Sequence, residues 1–363
     1  MNGEKIKCVV WDLDNTLWDG ILIENDHLVL KENVVSVIKE LDRRGILQSI
    51  SSKNNYDMAK EKLEEYGLWD YFIYPQIHWN SKSEAVAQIA KDINIGIDTL
   101  SFVDDQVFER EEVLFSYPEI LCIDANDVDK IPEMERMIPN FITNDSKNRR
   151  KMYHSDIRRN KEEQSYSGTK EEFLSTLQMT FKIDKAKEED LQRAEELTVR
   201  THQLNSTGYI YSYDELKHFI QADDYEVYVA QLDDKYGTYG KIGLALVEKK
   251  GEAWNLQLLL MSCRVMSKGI GNIFMNFLIN ESIKNNKTLR AQFIPTDRNR
   301  IMYITYKFNG FKELGKDGDV VIFEADMSYE RIIPDYVTFV YEGENVDGFF
   351  SEERAETIQS GNH

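Results

Sequence analysis

Residues Lys5–Gly20 read KIKCVVWDLDNTLWDG, and the fold is decided by how this stretch is read. An apolar run, Cys8 to Trp11, leads straight into Asp12 and Asp14, two carboxylates one residue apart. The small polar pair Asn15 and Thr16 follows. A short, unbroken apolar run reads as a buried strand. The paired carboxylates therefore stand where a buried strand ends.

The rest of the first third repeats this alternation. ENVVSVIKELDRRG (32–45) reads as an amphipathic helix ending at Gly45, and ILQSIS (46–51) as the next strand. The series continues with a helix in MAKEKLEEYGL, a strand in FIYPQIHW, a helix in KSEAVAQIAKDINI, a strand in LSFVDD, a helix in REEVLFSYPE and a strand in ILCID. Strands alternating with helices at this spacing predict right-handed crossovers and a mostly parallel sheet. Sites in such sheets lie at the carboxyl ends of strands. Asp12 with Asp14, Ser51 with Ser52, and Asp104 with Asp105 each follow an apolar strand, so they are expected on one edge.

The composition narrows the function classes. The chain has 363 residues, enough for two domains, and its 42% hydrophobic and 30% charged content is that of a globular protein. A net charge of −20 argues against a nucleic-acid groove or an anionic membrane surface. Cys8, Cys122 and Cys263 lie far apart with no CxxC pair, which gives neither a disulfide framework nor a zinc site. The opening MNGEKIK leads into a strand and not a signal-peptide core, and no apolar run is long enough to span a membrane. A cytoplasmic protein is expected.

The chain divides, on this reading, into a first domain at 1–125, a helical connecting segment at 126–179, a second domain at 180–328 and a tail at 329–363. The connecting segment carries SKNRRKMYHSDIRRNKEEQ, a basic stretch in an acidic chain, and then SGTKEEFLSTLQM with a capping-box start at Thr169 or Ser167. A second alternating region follows. It has strands in FKIDKA, YEVYVAQLDD, GKIGLALVEKKG and AWNLQLLLMSCRV, and a helix running through EEDLQRAEELTVRTHQL.

The residue types at the first edge suit phosphoryl transfer. A carboxylate at a strand end, Asp12, can attack phosphorus, and Asp14 can protonate the leaving oxygen and later deprotonate water. Ser52 and Lys82 supply the hydroxyl and the cation that a transferring phosphoryl group needs, with Ser51 beside Ser52 as the alternative hydroxyl or helix cap. Asp104 and Asp105, with Asp12 and the backbone carbonyl of Asp14, form a hard-oxygen set suited to Mg2+. Between Asp12 and Ser52 there is room for a strand and a helix but not for a sizeable cap, so the site is expected to stand open.

These motifs, in this order, resemble the haloacid dehalogenase superfamily. Together with THQLNSTG, LLMSCRVMSKGIG and YKFNGF, the resemblance narrows to FkbH-like proteins of subfamily IIIC and covers about residues 5–325. It implies an α/β enzyme: a capless Rossmann-like phosphatase domain with a parallel sheet, followed by an α+β acyltransferase-like domain of the GNAT type. The implied work is to take a glyceryl unit from 1,3-bisphosphoglycerate, a small phosphorylated substrate, remove phosphate and deliver the acyl group to an acyl carrier protein. A phosphatase fused to an N- or O-acyltransferase that modifies a surface sugar is the alternative, and a carrier-docking second domain without catalysis is another.

In the second domain, Gly269 and Gly271 match the glycines of a GNAT loop whose helix amides hold the diphosphate of a pantetheine donor. Met266 departs from the Gln or Arg of that pattern. Tyr306 matches a tyrosine that protonates a departing thiol. Relatives often carry a cysteine directly before the motif serine, where this chain has Ser51, which leaves Cys263 in MSCRV beside Arg264 as the candidate thiol nucleophile. His202 stands where relatives have asparagine. Lys147, Arg150 and Arg158, with His154 and Lys161, recur at steps of three and four, and one helix face bearing them would suit docking of an acidic carrier.

Overall fold

The protein is described by a computed structural model covering residues 4–24, 27–328, 331–342 and 344–345. The chain forms two compact units, 1–157 and 158–363. In the first, β1 (Cys8–Trp11), β2 (Leu47–Ser52), β3 (Gln76–Ile77), β4 (Leu100–Asp104) and β5 (Leu121–Asp124) make a wholly parallel sheet in the order β3-β2-β1-β4-β5. The crossovers are α1 (Glu32–Arg43), α2 (Tyr56–Glu65), α3 (Lys82–Ile93) and α4 (Val107–Ser116). β1 is central, which explains its unbroken apolar run. Val9 and Trp11 enter one core layer, while Cys8 and Val10 enter the layer on the opposite face. Between β1 and α1 the described residues hold only a short turn and the two-residue strands Trp18–Asp19 and Val29–Leu30, so no cap domain is inserted there.

The expected boundaries need correction. Residues 126–157 belong to the first unit and not to a connector. Arg44 donates to the carbonyls of Pro132 and Met137, Ile6 N donates to Arg136 O, and Gly45 lies against Ser146. Gly45 has φ +74, and a Cβ there would sit 2.4 Å from Ser146 O, so both conformation and space require glycine. The boundary falls inside α5 (Arg149–Ser165). Past it, Arg159 is buried with its guanidinium paired to Asp234 and stacked 3.8 Å from the centre of the Tyr239 ring.

After the end of α5 the second unit continues with α6 (Lys170–Thr176), whose capping box is built on Thr169. Its sheet contains β6 (Met179–Lys185), β7 (Tyr225–Asp234), β8 (Gly237–Glu248), β9 (Ala253–Met261), β10 (Thr288–Phe293), β11 (Phe311–Asp317), β12 (Val320–Ala325) and β13 (Val337–Tyr341). The order is β11-β12-β10-β9-β8-β7-β6-β13, with Glu344–Asn345 paired beyond β13. Most pairs are antiparallel; β9 with β10 and β6 with β13 are parallel. The helices are α7 (Leu191–Arg200), α8 (Tyr213–Gln221), α9 (Ile270–Lys284) and α10 (Arg300–Phe308). The run expected in the tail is thus a strand of this sheet, and the acidic residues 346–363 lie outside the described ones. No helix among the described residues is long and apolar enough to cross a membrane.

Candidate active site

Four crossings of the parallel sheet deliver side chains to its carboxyl edge. Asp12 and Asp14 follow β1, Ser51 and Ser52 end β2, Lys82 opens α3 after β3, and Asp104 ends β4 with Asp105 next to it. Lys82 is 3% exposed, and its ammonium lies 2.5 Å from Asp12 Oδ1, 2.7 Å from the Ser51 carbonyl and 3.2 Å from Asp104 Oδ2. Ser81, just before Lys82, caps α3, its hydroxyl accepting from Glu84 N. The two serines have different parts: Ser51 offers its carbonyl to Lys82, while Ser52 Oγ accepts from Asn54 Nδ2 at 3.2 Å.

Asp14 is held apart from the other acids. Its Oδ1 accepts from Trp18 Nε1 at 2.9 Å and from Leu22 N at 3.1 Å, and its Oδ2 accepts from Asn54 Nδ2 at 2.9 Å. Oxygens of Asp12, Asp104 and Asp105 lie within 4.8 Å of one another. The Asp14 side chain is not in that set, which leaves only its backbone carbonyl for the metal role expected of it.

Charge is out of balance in this cluster. Burial pushes the Asp12 carboxyl up, with Lys82 opposing. Burial and then the Asp12 charge push Asp104 up to about 7, and Asp105 rises for the same two reasons. Burial by itself would lower Lys82, but Asp12 and Asp104 outweigh it and hold the ammonium charged. One lysine thus faces three carboxylates. Asp104 Oδ2 and Asp105 Oδ1 are buried without a hydrogen bond, the contact of Asp104 Oδ2 with Lys82 being an ion pair only. Buried acceptor oxygens left open, converging from two strand ends and all hard, fit a divalent cation such as Mg2+.

Thr16, Trp18 and Asn54 also belong to the site, and the sequence reading gave them no role. Thr16 Oγ1 accepts from Asp105 N at 3.2 Å and ties the β1 loop to the β4 loop. Their positions inside DLDNTLW and SSKNN were the available signal. Cys8 is core, as its place in β1 suggests, and burial pushes the half-buried Cys122 thiol up to about 12.

The expected second-domain residues are not brought together as a catalytic set. Gly269 and Gly271 line a cavity of about 170 Å3 with Met261, Met266, Met275 and Met302. Gly269 adopts φ +73 at the start of α9. Tyr306 does not line it. Its ring is fully buried 5.1 Å from Phe311 and 5.3 Å from Phe323, and burial pushes its hydroxyl far up against the pull of Ser206. Cys263 begins a 3-10 turn after β9 and not a strand, and burial raises its thiol. Arg264 donates instead to the Tyr239 carbonyl at 2.7 Å, so it does not activate that thiol. The motif expected to end the α7 helix leaves it at Arg200 and runs beside β9. Ser206 N donates to Leu259 O, Met261 N to Leu204 O, Leu259 N to Ser206 Oγ and Ile294 N to Ser206 O, at 2.9, 2.9, 3.0 and 3.0 Å. The chain itself fills the gap where β9 and β10 part company after Leu256 and Ala291.

The basic stripe is also corrected. Lys147 lies in a short helix ahead of α5. Arg150 pairs with Asp42 at 2.8 Å, donates to Asp70 O and stacks 4.5 Å from the centre of the Tyr71 ring, and His154 contacts Asp70 O. Arg150 is therefore consumed in holding α5 to its own unit, whereas Arg158 and Lys161 are exposed.

No protein-family model and no curated protein matches the chain. Among solved structures it is similar to the N-terminal part of a Bacteroides fragilis protein containing a phosphatase domain, complexed with Mg. The identity is 29% and the TM-score 0.32, over 35% of this chain and 39% of that one. It is also similar to the PaiA N-acetyltransferase of Thermoplasma acidophilum in complex with coenzyme A, at 19% identity, TM-score 0.33, and 40% and 99% of the two chains. The ribosomal-protein-S18-alanine N-acetyltransferase of Escherichia coli matches at 17% identity, TM-score 0.33, and 43% and 100%.

Proposed function

We propose that the first unit is a capless, Mg2+-dependent phosphoryl-transfer enzyme. The whole chain, on this reading, is an FkbH-like protein that takes a glyceryl unit from 1,3-bisphosphoglycerate, releases phosphate and loads the pantetheine thiol of an acyl carrier protein. The observation that carries the first part is the buried cluster in which one lysine faces three carboxylates with acceptor oxygens left open.

In this reading the pantetheine thiol, giving up its proton, bonds to the acyl carbon as the acyl–phosphate bond breaks and the 1-phosphate leaves. At the 3-phosphate an Asp12 carboxylate oxygen bonds to phosphorus as the bond to the glyceryl oxygen breaks, Asp14 giving that oxygen a proton. Water, deprotonated by Asp14, then releases phosphate and restores Asp12. Lys82 stays charged and orients Asp12. The Ser52 hydroxyl is placed to donate to a phosphoryl oxygen, its own acceptor side being taken by Asn54. Asp12, Asp104, Asp105 and the Asp14 carbonyl would hold Mg2+, which when bound offsets the repulsion between these acids and an anionic substrate.

The filled edge of β9, the unassisted Cys263 and Met266 favour a second unit that docks the carrier, with its arm ending near Gly269 and Gly271, over one that passes the acyl group through a protein thiol. Arg158, exposed in the second unit, remains the docking cation of this proposal. The test is mass spectrometry of an acyl carrier protein incubated with the enzyme, Mg2+ and 1,3-bisphosphoglycerate. A glyceryl adduct on the pantetheine arm is expected. Phosphate release with an unmodified carrier would leave the phosphatase and remove the loading step.

A further inference from the structure

Asn54 lies in the loop between β2 and α2, where an amide side chain ordinarily faces water, yet it is 1% exposed. Its amide nitrogen reaches into the site: Nδ2 donates to Asp14 Oδ2 at 2.9 Å and to Ser52 Oγ at 3.2 Å. Its Oδ1 is buried with no hydrogen bond.

The geometry at Asp14 shows what the bridge does. Trp18 Nε1 and Leu22 N both reach Oδ1, so by themselves they fix one oxygen and leave the carboxylate free to turn about it. The Asn54 bond to Oδ2 sets the plane. A carboxylate offers about four acceptor positions. Three are filled, and the open one is on Oδ2, next to the hydroxyl that Asn54 also holds.

We propose that Asn54 is a positioning residue, which aims the open position on Asp14 Oδ2, where the proton is carried, at the leaving oxygen. This rests on the phosphatase reading above. A good leaving group departs without a proton, whereas an alkoxide does not, so the loss caused by Asn54 substitutions should depend on the leaving group.

The test compares kcat/KM of the full chain with Mg2+ on p-nitrophenyl phosphate and on an alkyl monophosphate, 3-phosphoglycerate. N54A, which removes the donor, and N54D, which keeps the shape, should each lose about 100-fold on the alkyl substrate, the scale of a misplaced catalytic group. The loss on the aryl substrate should be about threefold or less for want of any need for a proton. In a D14N background, N54A should cost less than about twofold on the alkyl substrate, because the group it positions is gone. Equal losses on both substrates, or full additivity with D14N, would make Asn54 a packing residue and overturn the proposal. A wild type that hydrolyses neither substrate and forms no phosphoenzyme would overturn the phosphatase reading itself. Because N54D preserves volume, a failure of N54A to fold leaves the comparison intact.

Discussion

At the carboxyl edge of the parallel sheet, Asp105 Oδ1 is buried with no hydrogen bond and Asp104 Oδ2 has only its ion pair with Lys82. Along β9 in the second unit, Leu204 and Ser206 answer the strand's polar groups one after another. Both places lie where strands diverge or end, and both are lined by buried polar residues. Burying an unsatisfied acceptor costs stability, so a chain keeps one where something outside the chain completes it. The first edge has the chemistry that, on the proposed function, a cation and a substrate would complete. The second has the chemistry of a repaired sheet.

This contrast is exposed to experiment. The largest effect should come from Asp12→Asn, which removes the attacking charge with little change in shape. Phosphate release should fall about 1,000-fold or more, the scale of losing a covalent catalyst. Near-normal turnover would place the nucleophile elsewhere. Chelation comes next. EDTA should abolish phosphate release, and Mg2+ at a hundred times its dissociation constant should stabilise the fold by about 2.7 kcal/mol. Asp105→Asn should shrink that stabilisation in a melting experiment with and without Mg2+, and an unchanged shift would remove Asp105 from the metal site.

Ser206→Ala probes the other edge. It strips the acceptor from a buried Leu259 N–H, and urea unfolding of the second unit should register a loss of about 1–3 kcal/mol, with phosphate release unaltered. A loss of activity without a loss of stability would turn the repaired sheet into a site. The smallest effect belongs to the surface of α1. Hydrogen bonds from Arg43, and then Arg44, hold Glu40 down to about 2, below the usual carboxylate range. Its contribution is therefore complete above its ordinary range near 4.5 and is lost as pH falls through the lower value. Glu40→Gln should be slightly less stable than wild type near neutral pH. The gap should close on acidification, and a gap that widens would reverse the sign.

Local pattern was enough for the α/β class, the parallel first sheet and its convergent edge. An apolar run buried on both faces has one reading, and a residue directly after a strand can only lie at that strand's end. Asp12, Ser52 and Asp104 were legible for that reason, and Lys82 from the start of the helix that follows a strand. The unit boundary was not, because what assigns residues 126–157 to the first unit is Arg44, Gly45 and Asp42 reaching segments some ninety to a hundred residues away. The basic stripe at 147–161 has helical spacing whichever way it faces, and only packing revealed that Arg150 is spent on Asp42 and Tyr71. The same holds for residues 201–204, read as the end of a helix and found leading into a segment paired with β9. Periodicity reports which residues share a face of their own element. Which partner meets that face is settled by contacts between distant parts of the chain, and these decided Asn54, Ser206 and Tyr306.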